Sequence, residues 1–264
     1  MIRAMSRLDA SRIGFEAFGV RVAVAVPDDV ADRLAAALPP ARRECDPAAA
    51  EIGFELVAAP GGIAVIRDRE PFTDGVPLDT ALEVLEREVR TEVALRAPGF
   101  IFVHAGVVAH EGRGLVLPGA SFAGKTTLVA ALVRAGATYY SDEYAVLDGD
   151  GRVHPYARRL AMRGENGVAQ LHDASELGGA DGDRPVPVAA VVLATYREGS
   201  TWEPAPMSHG EAVLALLQNT VAARTRPQES LHAATRAADG ARLQRGERGD
   251  ANRTAALLLD DLGG

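Results

Sequence analysis

One short segment contains the residue types needed to bind phosphate. The run Gly119-Ala-Ser-Phe-Ala-Gly-Lys-Thr126 fits the pattern G-x-x-x-x-G-K-[S/T]. In this pattern the glycines let backbone N–H groups turn toward phosphate oxygens, and the helix that follows adds partial positive charge. Lys125 is the only lysine among the 28 basic residues, the others all being arginine. The segment therefore predicts a phosphate-binding loop with one compact ammonium group.

Each residue type in the loop has a defined task if the ligand is a nucleotide. Lys125 would contact the β- and γ-phosphates as a point charge, and the Thr126 hydroxyl would ligate Mg²⁺. The backbone and side chains expected to surround the phosphates are those of Gly119, Ser121, Phe122, Ala123, Gly124, Lys125, Thr126 and Thr127. ATP and Mg²⁺ are accordingly the expected ligands.

The flanking segments are suited to hold such a loop in place. Residues 114–118 form a short apolar run typical of a strand, and residues 127–134 have the spacing and propensity of a helix. A strand, a glycine-containing loop and a helix in this order are what the phosphate-binding mechanism requires.

Two adjacent acids follow the loop by about 16 residues, in Tyr139-Tyr-Ser-Asp-Glu-Tyr144. They come directly after a short apolar stretch, so Asp142 could emerge at the end of a strand beside the loop. There it could hold Mg²⁺ or accept the proton of an attacking hydroxyl group. Acids are also common in exposed turns, so the pair by itself leaves both interpretations open.

Taken together, these segments resemble the HPr kinase/phosphorylase superfamily. The resemblance is carried by Phe102-Val-His-Ala-Gly106, the loop with its preceding strand, Gly136, and Ser141-Asp-Glu143. It covers roughly residues 100–165. It implies an α/β fold of the phosphoenolpyruvate-carboxykinase-like P-loop type, with a mixed sheet around the loop and an amino-terminal strand-and-helix layer.

The resemblance also implies roles for individual residues. Asp142 corresponds to the catalytic base of the kinase reaction, His104 to a histidine that sits against that base, and Glu143 to the second acid. Thr126, Asp142 and Glu143 would then be the residues near the metal ion, and a homo-oligomer is a possible assembly. His104 taken alone is more typical of a buried structural histidine.

The chain departs from the family pattern at three positions. Ala161 stands where the family has a metal-binding acid, Phe122 replaces a loop glycine, and Glu143 replaces an aspartate. The chain is more similar to the HPr-kinase-like proteins of peptide natural-product pathways, such as lasso-peptide kinases. Arg163, which lies near Ala161, could pair with phosphate, with the acceptor or with a surface acid.

Two classes of function remain open from the sequence. The first is a kinase that transfers the γ-phosphoryl group of ATP to a hydroxyl, most simply a serine of a peptide or protein. HPr itself, free serine or another small molecule are alternative acceptors. The second class is a nucleotide-binding regulatory module in which hydrolysis is slow or absent. Turnover that depends on Asp142 would distinguish the kinase from the module.

The periodicity predicts two regions, an amino-terminal α+β region over residues 1–98 and a P-loop kinase domain over residues 99–264. Residues 78–96 have one apolar stripe of Leu78, Leu82, Leu85, Val89 and Val93, which predicts an amphipathic helix. Further helices are expected at residues 28–38, 208–222 and 251–262. Residues 224–253 are polar and rich in arginine, and we expect them to be partly disordered.

Composition bears on the binding partners, the disulfides and the compartment of the protein. The 264 residues are 47% hydrophobic and 24% charged, with a formal net charge of −8, which argues against non-specific nucleic-acid or membrane-surface binding. No apolar stretch is long enough for a membrane span. Cys45 is the single cysteine, so no intrachain disulfide can form, and with no signal peptide apparent we expect a cytoplasmic protein.

Overall fold

The protein has a mixed α/β fold in which six α-helices and several mixed sheets account for most of the described residues. The structure is a computed structural model that describes residues 10–119, 124–163 and 169–263, apart from the side chains of Ala10, Ala36, Arg163 and Ala169. The chain divides into two compact units, one ending at Pro98 and the other beginning at Gly99.

The first unit is built on a six-stranded sheet with the order β3-β1-β2-β4-β5-β6. Its strands are β1 (Ala10–Ala17), β2 (Val20–Pro27), β3 (Arg43–Glu44), β4 (Ile52–Ala59), β5 (Gly62–Arg67) and β6 (Glu70–Pro71). Its helices are α1 (Asp28–Ala37) and α2 (Leu78–Arg96). The predicted apolar stripe of α2 is buried at four positions, whereas Leu78 in the first turn is 36% exposed.

The second unit contains an eight-stranded sheet with the path β11-β10-β7-β8-β14-β16-β15, to which β9 adds by pairing with β7. The strands are β7 (Phe100–His110), β8 (Arg113–Pro118), β9 (Thr138–Ser141), β10 (Tyr144–Asp148), β11 (Arg152–His154), β14 (Val186–Tyr196), β15 (Ala205–Pro206) and β16 (Arg242–Arg248). A separate pair is formed by β12 (Leu160–Arg163) and β13 (Ala169–His172). The helices are α3 (Lys125–Arg134), α4 (His209–Gln218), α5 (Pro227–Ala238) and α6 (Ala251–Gly263).

Alternating side chains of the central strands supply two cores, one on each face of this sheet. Leu115 and Leu117 of β8 pack with apolar residues of α3 and α6, whereas Val116 packs with α4 and α5. On β14, Val192 joins the first core and Val191 the second. Because successive strand residues point to opposite faces, near-continuous apolar runs are what a sheet covered on both faces requires.

The expectation of disorder over residues 224–253 is wrong. This segment contains α5, one face of which packs into the core through alanines, and β16, which pairs in parallel with β14 over seven residues. Alanine contributes little to an apolar periodicity, yet Ala233, Ala234, Ala237 and Ala238 are all nearly inaccessible to solvent. The predicted helix over 208–222 is also shorter, since α4 begins at His209, with Ser208 as its N-cap in a capping box with Glu211, and ends at Gln218.

Three neighbouring strands bring their carboxyl ends to one edge of the sheet. Strand β14 runs parallel to both β8 and β16, while β7 runs antiparallel to β8. The predicted phosphate-binding segment, residues 119–126, follows β8 directly and leads into α3. Ligands of open α/β sheets bind outside the carboxyl ends of parallel strands, so this edge is where a site should be sought.

The turn between β10 and β11 offers a test of this packing. Gly151 has a φ of +78°, and a Cβ there would lie 2.4 Å from the backbone carbon of Arg236 in α5. We expect Gly151→Ala to lower the free energy of unfolding by about 2–4 kcal/mol, from backbone strain and overpacking. The measurement is urea unfolding followed by circular dichroism. Gly149→Ala is the control, because a Cβ there would have no neighbour within 4 Å; equal losses for both variants would contradict the packing.

Candidate functional site

The phosphate-binding segment joins the end of β8 to the first residue of α3. Gly119 donates its backbone N–H to the carbonyl oxygen of His104 at 3.2 Å, which ties the start of the segment to β7. Gly124 precedes the helix with a φ of +73°, in the left-handed region that glycine adopts without strain. Ser121, Phe122 and Ala123, three of the predicted phosphate contacts, lie outside the described residues.

Lys125 folds back across this segment. Its Nζ donates to the carbonyl oxygen of Gly119 at 2.7 Å. Burial lowers the pKa of the ammonium, and the nearby negative charge of Asp142 acts in the opposite direction. The only lysine of the chain is therefore held at the amino-terminal end of α3, where backbone N–H groups without helical partners also point outward.

Asp142 lies beside Thr126 at the start of α3. Its Oδ2 accepts a hydrogen bond from the Thr126 hydroxyl at 2.9 Å, and its Oδ1 accepts one from the Tyr139 hydroxyl at 3.0 Å. Burial is the main cause that raises the pKa of Asp142, and these two hydrogen bonds oppose the rise. Each carboxylate oxygen keeps further acceptor capacity, so the group can still accept a proton or ligate a cation.

Thr126 and Asp142 together suit Mg²⁺. A hydroxyl and a carboxylate at hydrogen-bond distance are oxygen ligands of the kind that Mg²⁺ prefers, alongside phosphate oxygens and water. In the described part of the chain, no group of three or more His, Cys, Asp or Glu side chains is placed to hold a metal ion. A metal ion here would thus take many of its ligands from the nucleotide and from water.

Glu143 and His104 each contact a residue that the sequence analysis did not name as a partner. Glu143 Oε2 accepts a hydrogen bond from Arg158 Nη1 at 2.9 Å, in a partly buried ion pair. The His104 ring lies against Tyr144, its partner across β7 and β10, with ring centroids 4.8 Å apart. A role for His104 in orienting Asp142, and for Glu143 in metal binding, stays a prediction. Arg163 ends β12, and its side chain is outside the described set.

Three residues of this region were missed by the sequence analysis: Tyr139, Arg158 and Arg248. Tyr139 is almost fully buried. In the sequence it is indistinguishable from an ordinary apolar strand residue. Arg158 and Arg248 are two of many arginines, and no local pattern distinguishes them. The approach of Tyr139 to Asp142 could have been suspected from their spacing of three residues across a strand end.

Arg248, the last residue of β16, contacts the phosphate-binding segment from the side opposite Asp142. It is only 2% exposed, and its Nη2 donates to the carbonyl oxygen of Gly124 at 2.8 Å. A Cβ on residue 124 would come within 2.6 Å of that nitrogen, which is a second reason for glycine there. Burial lowers the pKa of the guanidinium.

A large cavity opens along the same edge of the sheet. Its volume is about 1390 Å³, and its walls include Gly119, Gly124 and Thr127 together with the ends of β14 and β16 and the start of α6. Cavities that bury small ligands are typically about 300–1,000 Å³, so this one has ample room for a nucleotide-sized molecule.

Comparison with known proteins identifies no family for this chain. A scan of protein-family models gave no match, and a search of curated proteins gave none either. None of the helices formed by residues in the described ranges is long and apolar enough to cross a membrane. The case for a function therefore depends on the geometry of the site.

The two hydrogen bonds to Asp142 predict how its pKa responds to substitution. A hydrogen bond donated to a carboxylate favours the ionised form, so Tyr139→Phe should raise the pKa of Asp142 further above its usual range. Tyr140→Phe is the matched control, because the Tyr140 hydroxyl donates to the carbonyl oxygen of Arg184 instead. Carbon-13 NMR titration of the Asp142 carboxyl group measures the change. A pKa that falls or stays constant in Tyr139→Phe would contradict the assigned contact.

Proposed function

We propose that this protein is an ATP- and Mg²⁺-dependent kinase that transfers the γ-phosphoryl group to a hydroxyl, with a serine of a peptide or protein as the acceptor. We further propose that the second unit has the phosphoenolpyruvate-carboxykinase-like P-loop fold. The observation that carries the proposal is the hydrogen bond between Thr126 and Asp142. It places a carboxylate at the amino-terminal end of α3, next to the ammonium group of Lys125.

Binding of the phosphates follows from the groups at the helix start. The backbone N–H groups at the start of α3 and the Lys125 ammonium offer donors and positive charge to an anion. One acceptor of the Lys125 ammonium is an uncharged carbonyl oxygen, that of Gly119. A phosphate oxygen is a stronger acceptor for an ammonium than a neutral carbonyl, so exchange of partners is favourable.

Transfer requires a base at the attacking hydroxyl. In the proposed reaction the acceptor oxygen forms a bond to the γ-phosphorus, the bond to the β–γ bridging oxygen breaks, and ADP leaves. Asp142 accepts the hydroxyl proton, with its carboxylate held in orientation by Thr126 and Tyr139. Thr126 and Asp142 would hold Mg²⁺, and the bound ion would supply positive charge that offsets the negative charge of the phosphate oxygens.

The acceptor is assigned to a peptide or protein serine by the resemblance to HPr-kinase-like proteins of lasso-peptide pathways. Arg158 lies next to the turn that carries Asp142 and Glu143, and its guanidinium already donates to the Glu143 carboxylate, which an acceptor carboxylate would have to replace. An acceptor serine close to a peptide carboxyl terminus would bring a carboxylate that can pair with an arginine in this way. The activity assay therefore offers ATP and Mg²⁺ with three acceptors in parallel, namely HPr, free serine and a precursor peptide ending in serine, and weighs the products.

Substitution of Lys125 tests the phosphate site. Lys125→Ala should abolish ATP binding measured by calorimetry, and Lys125→Arg should reduce turnover roughly tenfold or more because a planar guanidinium replaces a compact ammonium. Arg87→Lys, on an exposed face of α2, is a control for a basic exchange outside the site. Unchanged ATP affinity in Lys125→Ala would refute the phosphate site.

Substitution of Asp142 separates chemistry from binding. Asp142→Asn should lower the rate of phosphoryl transfer by roughly 10²–10⁴-fold, the usual contribution of a general base. ATP affinity should be kept or increased, because a negative charge near the phosphates is removed. Asp150→Asn, in an exposed turn, is the control. Wild-type transfer rates in Asp142→Asn would refute the base, and no transfer by the wild-type protein to any acceptor would favour a nucleotide-binding regulatory module.

A further inference from the structure

The large cavity lies on the other side of the phosphate-binding segment from Asp142. Its described walls include Gly119, Gly124 and Thr127 of the segment, and Asp142 is not among them. The sheet order explains this separation, because β9 pairs on the β7 side of β8, whereas β14 and β16 continue on the opposite side. The proposed transfer chemistry does not use this cavity, so its size needs another explanation.

The walls of the cavity include aromatic side chains. Tyr196, at the carboxyl end of β14, is 57% exposed, and the guanidinium of Arg248 lies 5.4 Å from its ring centroid. The two residues are direct partners in the parallel pairing of β14 and β16. Trp202 lines the same cavity. An accessible tyrosine ring supported by an arginine is a surface on which a heteroaromatic ring can stack.

The charges around the cavity have mixed sign. Arg134 and Arg253 contribute positive charge, and Glu203 and Asp250 contribute negative charge. Asp250 also accepts a hydrogen bond from the backbone N–H of Arg253 at 2.8 Å, which caps the start of α6. The carboxylates disfavour additional phosphate in this part and can accept hydrogen bonds from hydroxyl and amino groups. These walls suit a neutral polar ring system with a sugar.

Arg248 connects the cavity to the phosphate-binding segment. Its Nη2 and Nη1 donate to the carbonyl oxygens of Gly124 and Gly249, while its buried Nε has no acceptor among the described residues. The side chain thus lies under Tyr196 at one end and against the residue before α3 at the other. A ligand that rests on Tyr196 is placed so that its remaining part reaches Gly124.

We propose that this cavity binds the nucleoside part of the nucleotide, with the base stacked on Tyr196 and with Arg248 positioning the segment between base and phosphates. This inference rests on the proposed function, since it takes the phosphates to lie at the start of α3. It assigns the two sides of the segment different tasks: the nucleoside binds beside β14 and β16, and the acceptor approaches beside Asp142.

The test compares a nucleotide with its phosphate chain alone. The probes are ATP or GTP, whichever binds the wild-type protein more tightly, the corresponding nucleoside, and inorganic tripolyphosphate. Tyr196→Ala should weaken nucleotide binding by roughly five- to hundredfold, the range expected for loss of one stacked base, and should leave tripolyphosphate binding within about twofold. Tyr196→Phe, which keeps the ring, is the matched control and should bind both probes as the wild type does.

The single tryptophan gives an independent readout, because Trp202 lines the cavity. Its fluorescence should change when the nucleoside or the nucleotide binds and should respond little to tripolyphosphate. If the wild type binds both charged probes but Tyr196→Ala loses neither or loses both equally, the nucleoside site is refuted while the phosphate site stands. If the wild type binds neither nucleotide nor tripolyphosphate, the proposed function itself fails, and this inference with it.

Discussion

The hydrogen bond from Thr126 to Asp142 is the contact on which the arrangement of the site depends. It joins the first turn of α3 to the turn after β9, and β9 and the strand that precedes α3, β8, both pair with β7. It also keeps a carboxylate and the Lys125 ammonium in a region partly removed from water, as the pKa of each group reflects. Because burial of a charge is costly unless it is hydrogen-bonded or paired, such an arrangement is retained only where surrounding groups compensate it.

The cost of burying these charges is offset by hydrogen bonds and an ion pair in and around the turn that carries Asp142. Tyr139 is buried in the core and directs its hydroxyl at Asp142, while Ser141 accepts the backbone N–H groups of Glu143 and Tyr144 and so closes the turn. Arg158 forms an ion pair with Glu143, the residue that follows Asp142. The result is a rigid acidic turn in which one carboxylate remains directed at the start of α3. Preorganisation of this kind is what phosphoryl transfer demands from a protein.

Much of the fold could be predicted from the sequence. The helix Leu78–Arg96 was predicted with its observed bounds because a long apolar stripe at helical spacing has few other interpretations. The strand before the phosphate-binding loop and the helix after it followed from a motif whose mechanism demands both. The segment over residues 224–253 was wrongly predicted because its helix is buried through alanines and its strand, Arg-Leu-Gln-Arg-Gly-Glu-Arg, is held by pairing with β14 rather than by its own hydrophobicity.

The sequence predicts the site residues that lie close to one another along the chain, and it misses the residue that reaches the site only through the fold. Lys125, Thr126 and Asp142 belong to patterns whose residues are close in sequence, and the structure brings them together. Arg248 reaches Gly124 across 124 residues of sequence, and only the parallel pairing of β14 with β16 places it there. Among so many arginines, no property of the residue itself distinguishes the one that reaches the segment.

The most direct measurement is a crystal structure of the protein with Mg²⁺ and a non-hydrolysable ATP analogue. The account predicts the β- and γ-phosphates at the start of α3, with Lys125 Nζ bound to phosphate oxygen instead of the Gly119 carbonyl and with the Asp142 carboxylate directed at the γ-phosphate side. An analogue bound elsewhere, or phosphates at α3 with Asp142 turned away from them, would contradict the account.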